Sequence, residues 1–296
     1  MSRIAVLGMG RMGAAMAQML ASSGHDVSVW NRTSSVAREV GEHVGCHASL
    51  EPGDAVVDAD IVLSVLADGP ATQATLLDPG LLAALAPSSV TCDMSTSGVP
   101  SAHLLAHEFA QRGLAYVDSP VAGSVASVLN RALLVMASGD EDAVERARPA
   151  FDAFARAVVH LGPAGNGQAM KLCAGLVVHT LNSAVAEGIA LATRSGIDPS
   201  VAYTVLQDSS VGAPYLGYKR EHFLGTQAPV AMSLDLAGKD LALIAAQAAE
   251  LDLELPALSG VITEVTRARE SGFGSSDMAD VVRAVLGEPV PDRTTS

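Results

Sequence analysis

A single lysine within a long apolar segment, Lys171, has the chemistry needed to donate or accept a proton. The segment from Gly165 to Arg194 reads GNGQAMKLCAGLVVHTLNSAVAEGIALATR and contains no proline. Its content of Ala, Leu and Val predicts one long helix that begins after the glycines. An amine in the first turn of such a helix is a candidate general acid and base.

Four positions of this helix are predicted to share one face. At about 100° per residue, Lys171, Gly175, His179 and Asn182 fall within one narrow sector. A lysine among apolar neighbours, with a glycine one turn later, is typical of the wall of a pocket. The alternative is that Lys171 extends along the helix surface into solvent, as many lysines do.

The N-terminal segment predicts a site for a dinucleotide. An apolar run ends at Leu7, a glycine-rich turn follows, and a helical pattern continues to Ala21. In this context G-x-G-x-x-G binds a pyrophosphate at the helix N-terminus, since its glycines permit a sharp turn, a close backbone approach and tight helix packing. The residues predicted to form this loop are Gly8, Met9, Gly10, Arg11, Met12 and Gly13.

The end of the second predicted strand indicates which nicotinamide cofactor is bound. A site selective for NAD usually places Asp or Glu there, whereas this chain has Asn31, Arg32 and Thr33, followed by Ser34. The neutral Asn removes repulsion of a 2′-phosphate, and the arginine supplies a cation for it. We therefore predict NADP(H). The same residues could also cap the next helix.

Alternation of apolar strands and helical patterns continues to about Leu161 and predicts an α/β fold with a doubly wound sheet. Ligands of such sheets collect at the carboxyl ends of the strands. Three strand ends carry polar or glycine residues: Leu66-Ala67-Asp68, Asp93 to Thr96, and Asp118 to Ser124. The third could hold a carboxylate on consecutive backbone amides, although each of the three could be an ordinary turn.

Composition limits the classes of partner. The chain has 296 residues, of which 49% are hydrophobic, enough for one large or two ordinary domains. A net charge of −14 argues against nucleic acid or an anionic membrane as the main partner. Polar residues interrupt the longest uncharged run, Leu172 to Ala186, so neither a signal peptide nor a membrane span is predicted. The polar tail after Gly287 is predicted to be disordered.

Cysteine and histidine residues give two further expectations. Cys46, Cys92 and Cys173 are odd in number and widely spaced, which predicts buried thiols and a cytoplasmic protein. His103 and His107 lie four residues apart, but no HExxH pattern surrounds them, so no metal site is predicted.

After Pro199 only helical patterns occur, with short breaks between them. These helices are expected to pack around the long helix or around its copy in a second subunit. Tyr215 falls in this half of a chain that contains only 3% aromatic residues, and it could shape a substrate pocket or simply pack between helices.

The order and spacing of six motifs, GMGRMG, NRT, DMST, DSPVAGS, GNGQAMK and GKDL, resemble the β-hydroxyacid dehydrogenase family, which includes 3-hydroxyisobutyrate dehydrogenase and glyoxylate or succinic semialdehyde reductases. A more distant similarity is to imine reductases. The resemblance implies an NADP-binding Rossmann domain over residues 1–162 and an all-helical substrate and dimerisation domain over 163–296, with a linking helix at about 166–194. It also implies a small-molecule substrate and a homodimer.

The resemblance also implies roles for single residues. Lys171 corresponds to the family's general acid and base. Thr96 is expected to lie against the cofactor, Lys239 of GKDL to reach the nicotinamide, and Leu66 and Ala67 to border the adenosine. The expected substrate-binding positions are Ala122, Gly123, Ser124, Gly175, His179 and Tyr215.

Two departures from the family pattern concern the substrate. Ala122 replaces a serine hydroxyl, and Gly175 replaces an asparagine four residues after the lysine. The backbone of Gly123 could still bind a carboxylate, and His179 or Asn182 could replace the missing hydrogen bonds. A larger or less acidic substrate is therefore expected.

The sequence leaves three functions open. The first is NADPH-dependent reduction of a small carbonyl compound, or its reverse, with Lys171 as the acid and base. The second is reduction of a C=N bond, although imine reductases usually carry Asp or Tyr at the position of Lys171. The third is a non-catalytic NADP-binding protein.

Overall fold

The computed structural model describes residues 1–225 and 228–290. Most of the tail that is predicted to be disordered, residues 291–296, lies outside the described residues. The packing of the described chain divides it into two compact units, residues 1–171 and residues 172 onwards. The division falls within the long helix, so the first turn of that helix packs with the N-terminal unit.

The N-terminal unit is built on one nine-stranded sheet. Its strands, in chain order, are β1 Arg3–Leu7, β2 Asp26–Trp30, β3 His47–Ala48, β4 Ile61–Ser64, β5 Val90–Asp93, β6 Ala115–Asp118, β7 Val121–Ala122, β8 Leu133–Gly139 and β9 Ala155–His160. Their order in the sheet is β3-β2-β1-β4-β5-β6-β8-β7, and β9 pairs with β8. Strands β1 to β6 are parallel, whereas β8 is antiparallel to β6 and β7.

The helices of this unit connect successive strands. They are α1 Arg11–Ser22, α2 Ser34–Val44, α3 Pro52–Val56, α4 Gly69–Leu76, α5 Pro79–Ala84, α6 Val99–Gln111, α7 Val125–Leu129 and α8 Glu141–Phe151. Because parallel strands are covered on both faces, consecutive residues of β1 enter different apolar clusters. Val6 belongs to the cluster that contains Leu20 of α1 and Phe151 of α8, whereas Leu7 belongs to the cluster that contains Phe109 of α6.

The remaining helices form the second unit together with most of α9. Helix α9, Asn166–Arg194, crosses the division between the units, and it is followed by α10 Pro199–Asp208, α11 Pro214–Phe223, α12 Leu234–Glu250, α13 Pro256–Ala268, a π-helical turn Arg269–Phe273, a 3₁₀ turn Met278–Asp280 and α14 Val281–Leu286. By length and mean hydropathy alone, 1.3 in its most apolar window, α9 could cross a membrane. Core helices of globular proteins meet the same criterion.

The predicted fold class is confirmed: a Rossmann-type doubly wound sheet precedes a long helix and a helical C-terminal part. The short strands β3 and β7 were not predicted, because two residues are too few for a recognisable period. The prediction of three buried cysteines is wrong. Cys92 is buried, but Cys46 is half-buried and Cys173 is exposed, since an apolar segment that forms a helix still turns part of its surface outwards.

Candidate active site

The glycine loop between β1 and α1 has a bare backbone suited to a phosphate group. Gly8 has φ +105°, and a Cβ there would collide with the carbonyl oxygen of Val65. A Cβ on Gly13 would collide with the carbonyl oxygen of Gly8, whereas a Cβ on Gly10 would meet no atom within 4 Å. Gly10 is also the N-cap of α1 and makes no side-chain cap. The backbone at Gly10 therefore has open space beside it at the N-terminus of α1, and this loop fits the pyrophosphate of a dinucleotide.

The end of β2 is tied to this loop by Asn31. Its Oδ1 accepts a hydrogen bond from the Met9 backbone N–H at 3.0 Å, and its Nδ2 donates to the Thr33 carbonyl at 3.2 Å. Arg32 is exposed, and the Thr33 side chain makes no cap on α2. Asn31 therefore fixes the loop, and the alternative reading of these residues as a side-chain helix cap is not what the structure contains.

The loops after β4 and β5 lie next to each other. The Leu66 backbone N–H donates to Ser95 Oγ at 2.9 Å, Ala67 is exposed, and Thr96 is half-buried. Asp93 accepts hydrogen bonds from Ser95 N–H at 3.0 Å and Ser97 Oγ at 2.7 Å. Burial raises the pKa of Asp93 to about 6, although these hydrogen bonds act in the opposite direction.

The start of α9 is held by the buried carboxylate of Asp118, at the end of β6. Its Oδ2 accepts from the Gln168 backbone N–H at 2.9 Å, and its Oδ1 accepts from Gly165 N–H at 3.3 Å and from Ser138 Oγ. Ser138 Oγ in turn accepts from Gly167 N–H at 2.9 Å. The amides at a helix N-terminus have no partner within the helix, so this carboxylate and hydroxyl satisfy three of them.

The Gln168 side chain connects the same turn to the loop after β5. Its Oε1 accepts from the backbone N–H groups of Ser97 and Gly98, both at 3.1 Å, and its Nε2 donates to the Ser95 carbonyl at 2.9 Å. Gln168 is fully buried. The first turn of α9 therefore lies at the carboxyl edge of the parallel strands, where α/β sheets bind their ligands.

Lys171 lies one turn further along α9. Its side chain is half-buried, and Nζ donates to the carbonyl oxygen of Val121 in β7 at 3.0 Å. The amine is therefore directed toward the segment between β6 and α7, and the alternative of a lysine extended into solvent does not describe it. Lys171 and Gln168, which bonds the loop after β5, lie three positions apart in the same part of α9.

The segment predicted to bind a carboxylate contains β7. Ala122 belongs to this strand and pairs with Leu134, and Gly123 is exposed, with φ +141°. The Ser124 backbone N–H donates to Ser127 Oγ at 3.1 Å within a capping box. The Ser124 amide is thus engaged inside the loop, and Gly123 is the exposed residue of the predicted cradle.

Predicted substrate contacts in the helical unit are mostly buried. Asn182 donates from Nδ2 to the Met278 carbonyl at 3.0 Å and accepts from Tyr215 Oη at 2.6 Å. The side chains of Asn182 and Tyr215 are therefore hydrogen-bonded to each other. His179 is also buried. A Cβ on Gly175 would lie 3.3 Å from Cδ1 of Ile244, so the space expected beside this glycine is occupied by α12.

The lysine of GKDL, Lys239, lies on α12 and pairs with the neighbouring Asp240 at 3.0 Å. A second lysine of this unit was not predicted to have any role. Lys219 is 2% exposed and forms a 2.5 Å ion pair with Asp277, which is fully buried. Within residues 1–225 and 228–290, no group of three or more His, Cys, Asp or Glu could hold a metal ion.

Sequence reasoning missed the part played by Gln168 and gave Asp118 only as one residue of a strand end. Both are polar residues within apolar surroundings and lie next to predicted elements, which is the one signal that could have identified them. Their partners are 20 to 73 residues away along the chain, so no local pattern contains the pairing.

Comparison with known proteins identifies relatives of the whole chain. Residues 3–162 match the family described as the NAD binding domain of 6-phosphogluconate dehydrogenase, and residues 165–285 match that described as NAD-binding of NADP-dependent 3-hydroxyisobutyrate dehydrogenase. A 3-hydroxyisobutyrate dehydrogenase of Pseudomonas aeruginosa is 32% identical over 298 residues, 97% of this chain and 100% of that protein. An NAD-dependent L-serine dehydrogenase of the same organism is 36% identical over 216 residues, 72% of this chain and 71% of that protein.

Solved structures of related proteins have a similar fold. Mycobacterium tuberculosis 3-hydroxyisobutyrate dehydrogenase with L-serine has a TM-score of 0.83 at 27% identity, covering 96% of this chain and 99% of that one. An imine reductase from Pseudomonas sp. has a TM-score of 0.63 at 19% identity over 96% and 99%, a likeness of fold alone. Since both parts of the chain match and a relative aligns along its whole length, the chain belongs to the β-hydroxyacid dehydrogenase family of NAD(P)-dependent oxidoreductases.

Proposed function

We propose that this protein is an NADP(H)-dependent reductase or dehydrogenase that interconverts a small carbonyl compound, a semialdehyde or keto acid, and its hydroxy acid. Lys171 is the general acid and base. The observation that carries the proposal is the arrangement at the start of α9. One helix turn presents the Lys171 amine, and Gln168 in the same turn bonds the loop after β5, which contains Thr96.

The residues that would hold the cofactor lie along the carboxyl edge of the parallel strands. The backbone from Gly8 to Gly13 would hold the pyrophosphate, and Leu66, Ala67 and Thr96 would border the nucleotide. Asn31, Arg32 and Thr33 would bind a 2′-phosphate, because the arginine brings a positive charge and Asn31 adds no negative one. Lys239 remains a predicted contact of the nicotinamide. The chemistry that a bound nicotinamide supplies is hydride transfer to or from the carbonyl carbon.

Lys171 would complete the reaction by moving the proton. As an ammonium group it donates a proton to the alkoxide oxygen when the carbonyl is reduced, and as a neutral amine it removes the hydroxyl proton in the reverse direction. The Val121 carbonyl, 3.0 Å from Nζ, orients the amine. Because lysine carries three donors, one can remain on Val121 during proton transfer.

The proposed substrate is a small carbonyl compound that is larger or less acidic than a simple 3-hydroxy acid. Ala122 and Gly175 lack side chains that would bond it, so the predicted contacts that remain are Gly123, Ser124, His179 and Tyr215. We further propose that the protein acts in the cytoplasm as a homodimer, with no nucleic acid or membrane partner. A net charge of −14 is consistent with that choice of partners.

Substitution of Lys171 tests the proposal. Lys171→Ala should lower kcat about 10²- to 10⁴-fold, the usual contribution of a positioned acid and base, while the Kd for NADPH changes less than about twofold. Lys171→Arg is the matched control, because it keeps the positive charge but cannot release its proton near neutral pH. It should be as impaired as the alanine variant. Full turnover by Lys171→Ala would overturn the proposal.

The choice among substrates is tested by a panel assayed with NADPH and NADH side by side. The panel contains glyoxylate, succinic semialdehyde, a cyclic imine, 3-hydroxyisobutyrate and L-serine, the last two with the oxidised cofactors. Faster turnover of the semialdehydes with NADPH supports a carbonyl reductase. Turnover of the cyclic imine alone would indicate an imine reductase. No turnover of any compound, together with tight NADPH binding, would favour a non-catalytic NADP-binding protein.

A further inference from the structure

The side-chain amide of Gln168 forms three hydrogen bonds with the loop after β5. It accepts two backbone N–H groups, from Ser97 and Gly98, and donates to the Ser95 carbonyl. Two accepted bonds on the oxygen and one donated bond on the nitrogen define a single orientation of the amide. Gln168 is fully buried, so its side chain has no exposed surface at which water competes with these partners.

The loop that Gln168 holds is itself connected to the neighbouring strand. Ser97 Oγ donates to Asp93, and Ser95 Oγ accepts the Leu66 backbone N–H. The chain of hydrogen bonds therefore runs from the loop after β4, through the loop after β5, to the first turn of α9. Asp118 holds the backbone of the same turn from the other side, through the Gln168 N–H at 2.9 Å.

Gln168 and Lys171 lie three positions apart on one helix. Side chains at this spacing are neighbours on the helix surface, and the backbone between them is rigid. Any rotation of the turn that breaks the bonds of Gln168 also displaces the Lys171 amine. A displacement of about 1 Å at a reacting group can lower a rate about 10²-fold.

We propose that Gln168 is a positioning residue, which sets the Lys171 amine against the Thr96 loop on which the cofactor is expected to lie. This inference rests on the proposed function, because it gives Gln168 an effect only through Lys171. Asp118 secures the helix start as a whole, whereas Gln168 determines its alignment with the loop. The residue acts without touching the substrate.

A double-mutant cycle tests the coupling. Gln168→Met, which keeps the length and volume of the side chain but makes none of its hydrogen bonds, should lower kcat about 10- to 100-fold and leave the Kd for NADPH within about twofold. In a Lys171→Ala background the same substitution should change kcat less than about twofold, since the group that it misplaces is absent. The assay follows NADPH oxidation with the best substrate of the panel.

Two further variants keep the test informative. Gln168→Glu retains an acceptor for Ser97 and Gly98 and loses the donor to Ser95, so its kcat should lie between those of wild type and Gln168→Met. Thr91→Val is the control, because Thr91 is a buried residue of the same sheet whose hydroxyl has no hydrogen-bond partner in the described chain. Its kcat should equal that of wild type. If Gln168→Met does not fold, the cycle is carried out with Gln168→Glu.

The outcomes separate the two proposals. An equal loss from Gln168→Met in both backgrounds, or no loss in either, would overturn the positioning role while leaving the proposed function intact. A Lys171→Ala enzyme with full activity would instead overturn the proposed function. A loss confined to the background that contains Lys171 supports both.

Discussion

Each of the two units contains a fully buried aspartate that binds backbone amides. In the N-terminal unit Asp118 holds the start of α9, and in the helical unit Asp277 holds the segment before α12 together with the 3₁₀ turn, through the N–H groups of Ala231, Met232 and Ala279. The difference between them is a cation. Lys219 lies 2.5 Å from Asp277, whereas the groups within hydrogen-bond distance of Asp118 are backbone amides and a hydroxyl.

The pKa values of the two carboxyl groups are shifted in opposite directions. Burial raises the pKa of Asp118, and its hydrogen bonds from Ser138, Gln168 and Gly165 offset this only in part. Burial also raises the pKa of Asp277, but the charge and hydrogen bond of Lys219, the Ala279 amide and His222 together lower it below the ordinary value. The hydrogen bonds of Asp118, with a further lowering contribution from His103, do not offset its burial, whereas the lysine in direct contact with Asp277 and its other partners do.

The comparison predicts its largest effect for Asp277→Asn. This change leaves the buried ammonium of Lys219 without its carboxylate and should lower the free energy of unfolding by about 3–5 kcal/mol. Urea unfolding followed by circular dichroism measures it. Asp235→Asn, which breaks an exposed pair with Arg269 in the same unit, is the control and should cost less than about 1 kcal/mol. A loss below that value for Asp277→Asn would contradict the assigned role of the cation.

A smaller effect is expected for Asp118→Asn. The amide can accept bonds on its oxygen but leaves one helix N–H without an acceptor, which should cost about 1–3 kcal/mol. The same unfolding experiment applies. If this variant loses as much stability as Asp277→Asn, the presence of a lysine is not what distinguishes the two sites.

Asn31 is a neutral side chain that, like the two aspartates, accepts a hydrogen bond from a backbone N–H group, that of Met9. Asn31→Asp keeps the acceptor but adds a negative charge where the 2′-phosphate is proposed to bind. The Kd for NADPH should rise about tenfold relative to that for NADH, equivalent to about 1.4 kcal/mol. Fluorescence titration with both cofactors measures the ratio. Asn31→Leu, which lacks both the acceptor and the charge, should weaken both cofactors alike, and an unchanged ratio in Asn31→Asp would count against NADP(H) selectivity.

Glu264 on α13 extends the series to a carboxyl group whose two buried oxygens have no hydrogen-bond partner within the described residues. Burial, with a contribution from Glu187, raises its pKa to about 7. Because the pKa of Glu264 is higher in the folded protein than in the unfolded chain, the group contributes to the free energy of unfolding. This contribution is fully present below the ordinary Glu pKa and is lost as the pH rises through about 7. Stability of the wild type should therefore fall between pH 5 and 8 by on the order of 1 kcal/mol, since the group is partly exposed.

Glu264→Gln provides the measurement of that pH dependence. The glutamine has no proton to lose, so its melting temperature should stay flatter than that of wild type over the same range and exceed it at pH 8. Identical pH profiles for the two proteins would show that Glu264 titrates at its ordinary pKa and is not buried as described.

Much of the N-terminal fold could be predicted because its signals are local. Apolar runs mark the parallel strands, and the glycine spacing of the first loop reflects steric demands of the backbone, which Gly8 and Gly13 meet by close contact with neighbouring carbonyl groups. The helices after Pro199 were also recognisable from their period. Boundaries were less certain where α13 passes into a π-helical turn at Arg269, because the apolar pattern continues across it.

The candidate site was predictable only in part. Lys171 was identified from one helix turn and a family motif, but the hydrogen bond between Asn182 and Tyr215, both predicted near a substrate, was not foreseen. Helical spacing predicts that residues lie on the same face of a helix, but it does not predict which residues they contact. The position of Ile244 of α12 next to Gly175 is another contact that helical spacing alone does not predict.

The sequence by itself determined the family, the doubly wound sheet, the phosphate-type loop and the helix that carries Lys171, because each depends on periodicity or on backbone conformations that few residues allow. Only the tertiary structure decided that Asp118 and Gln168 hold the first turn of that helix, and that Lys219 neutralises Asp277. These pairs join residues 50 or more positions apart, and their stability comes from burial and exclusion of water, which arise only when the chain has folded.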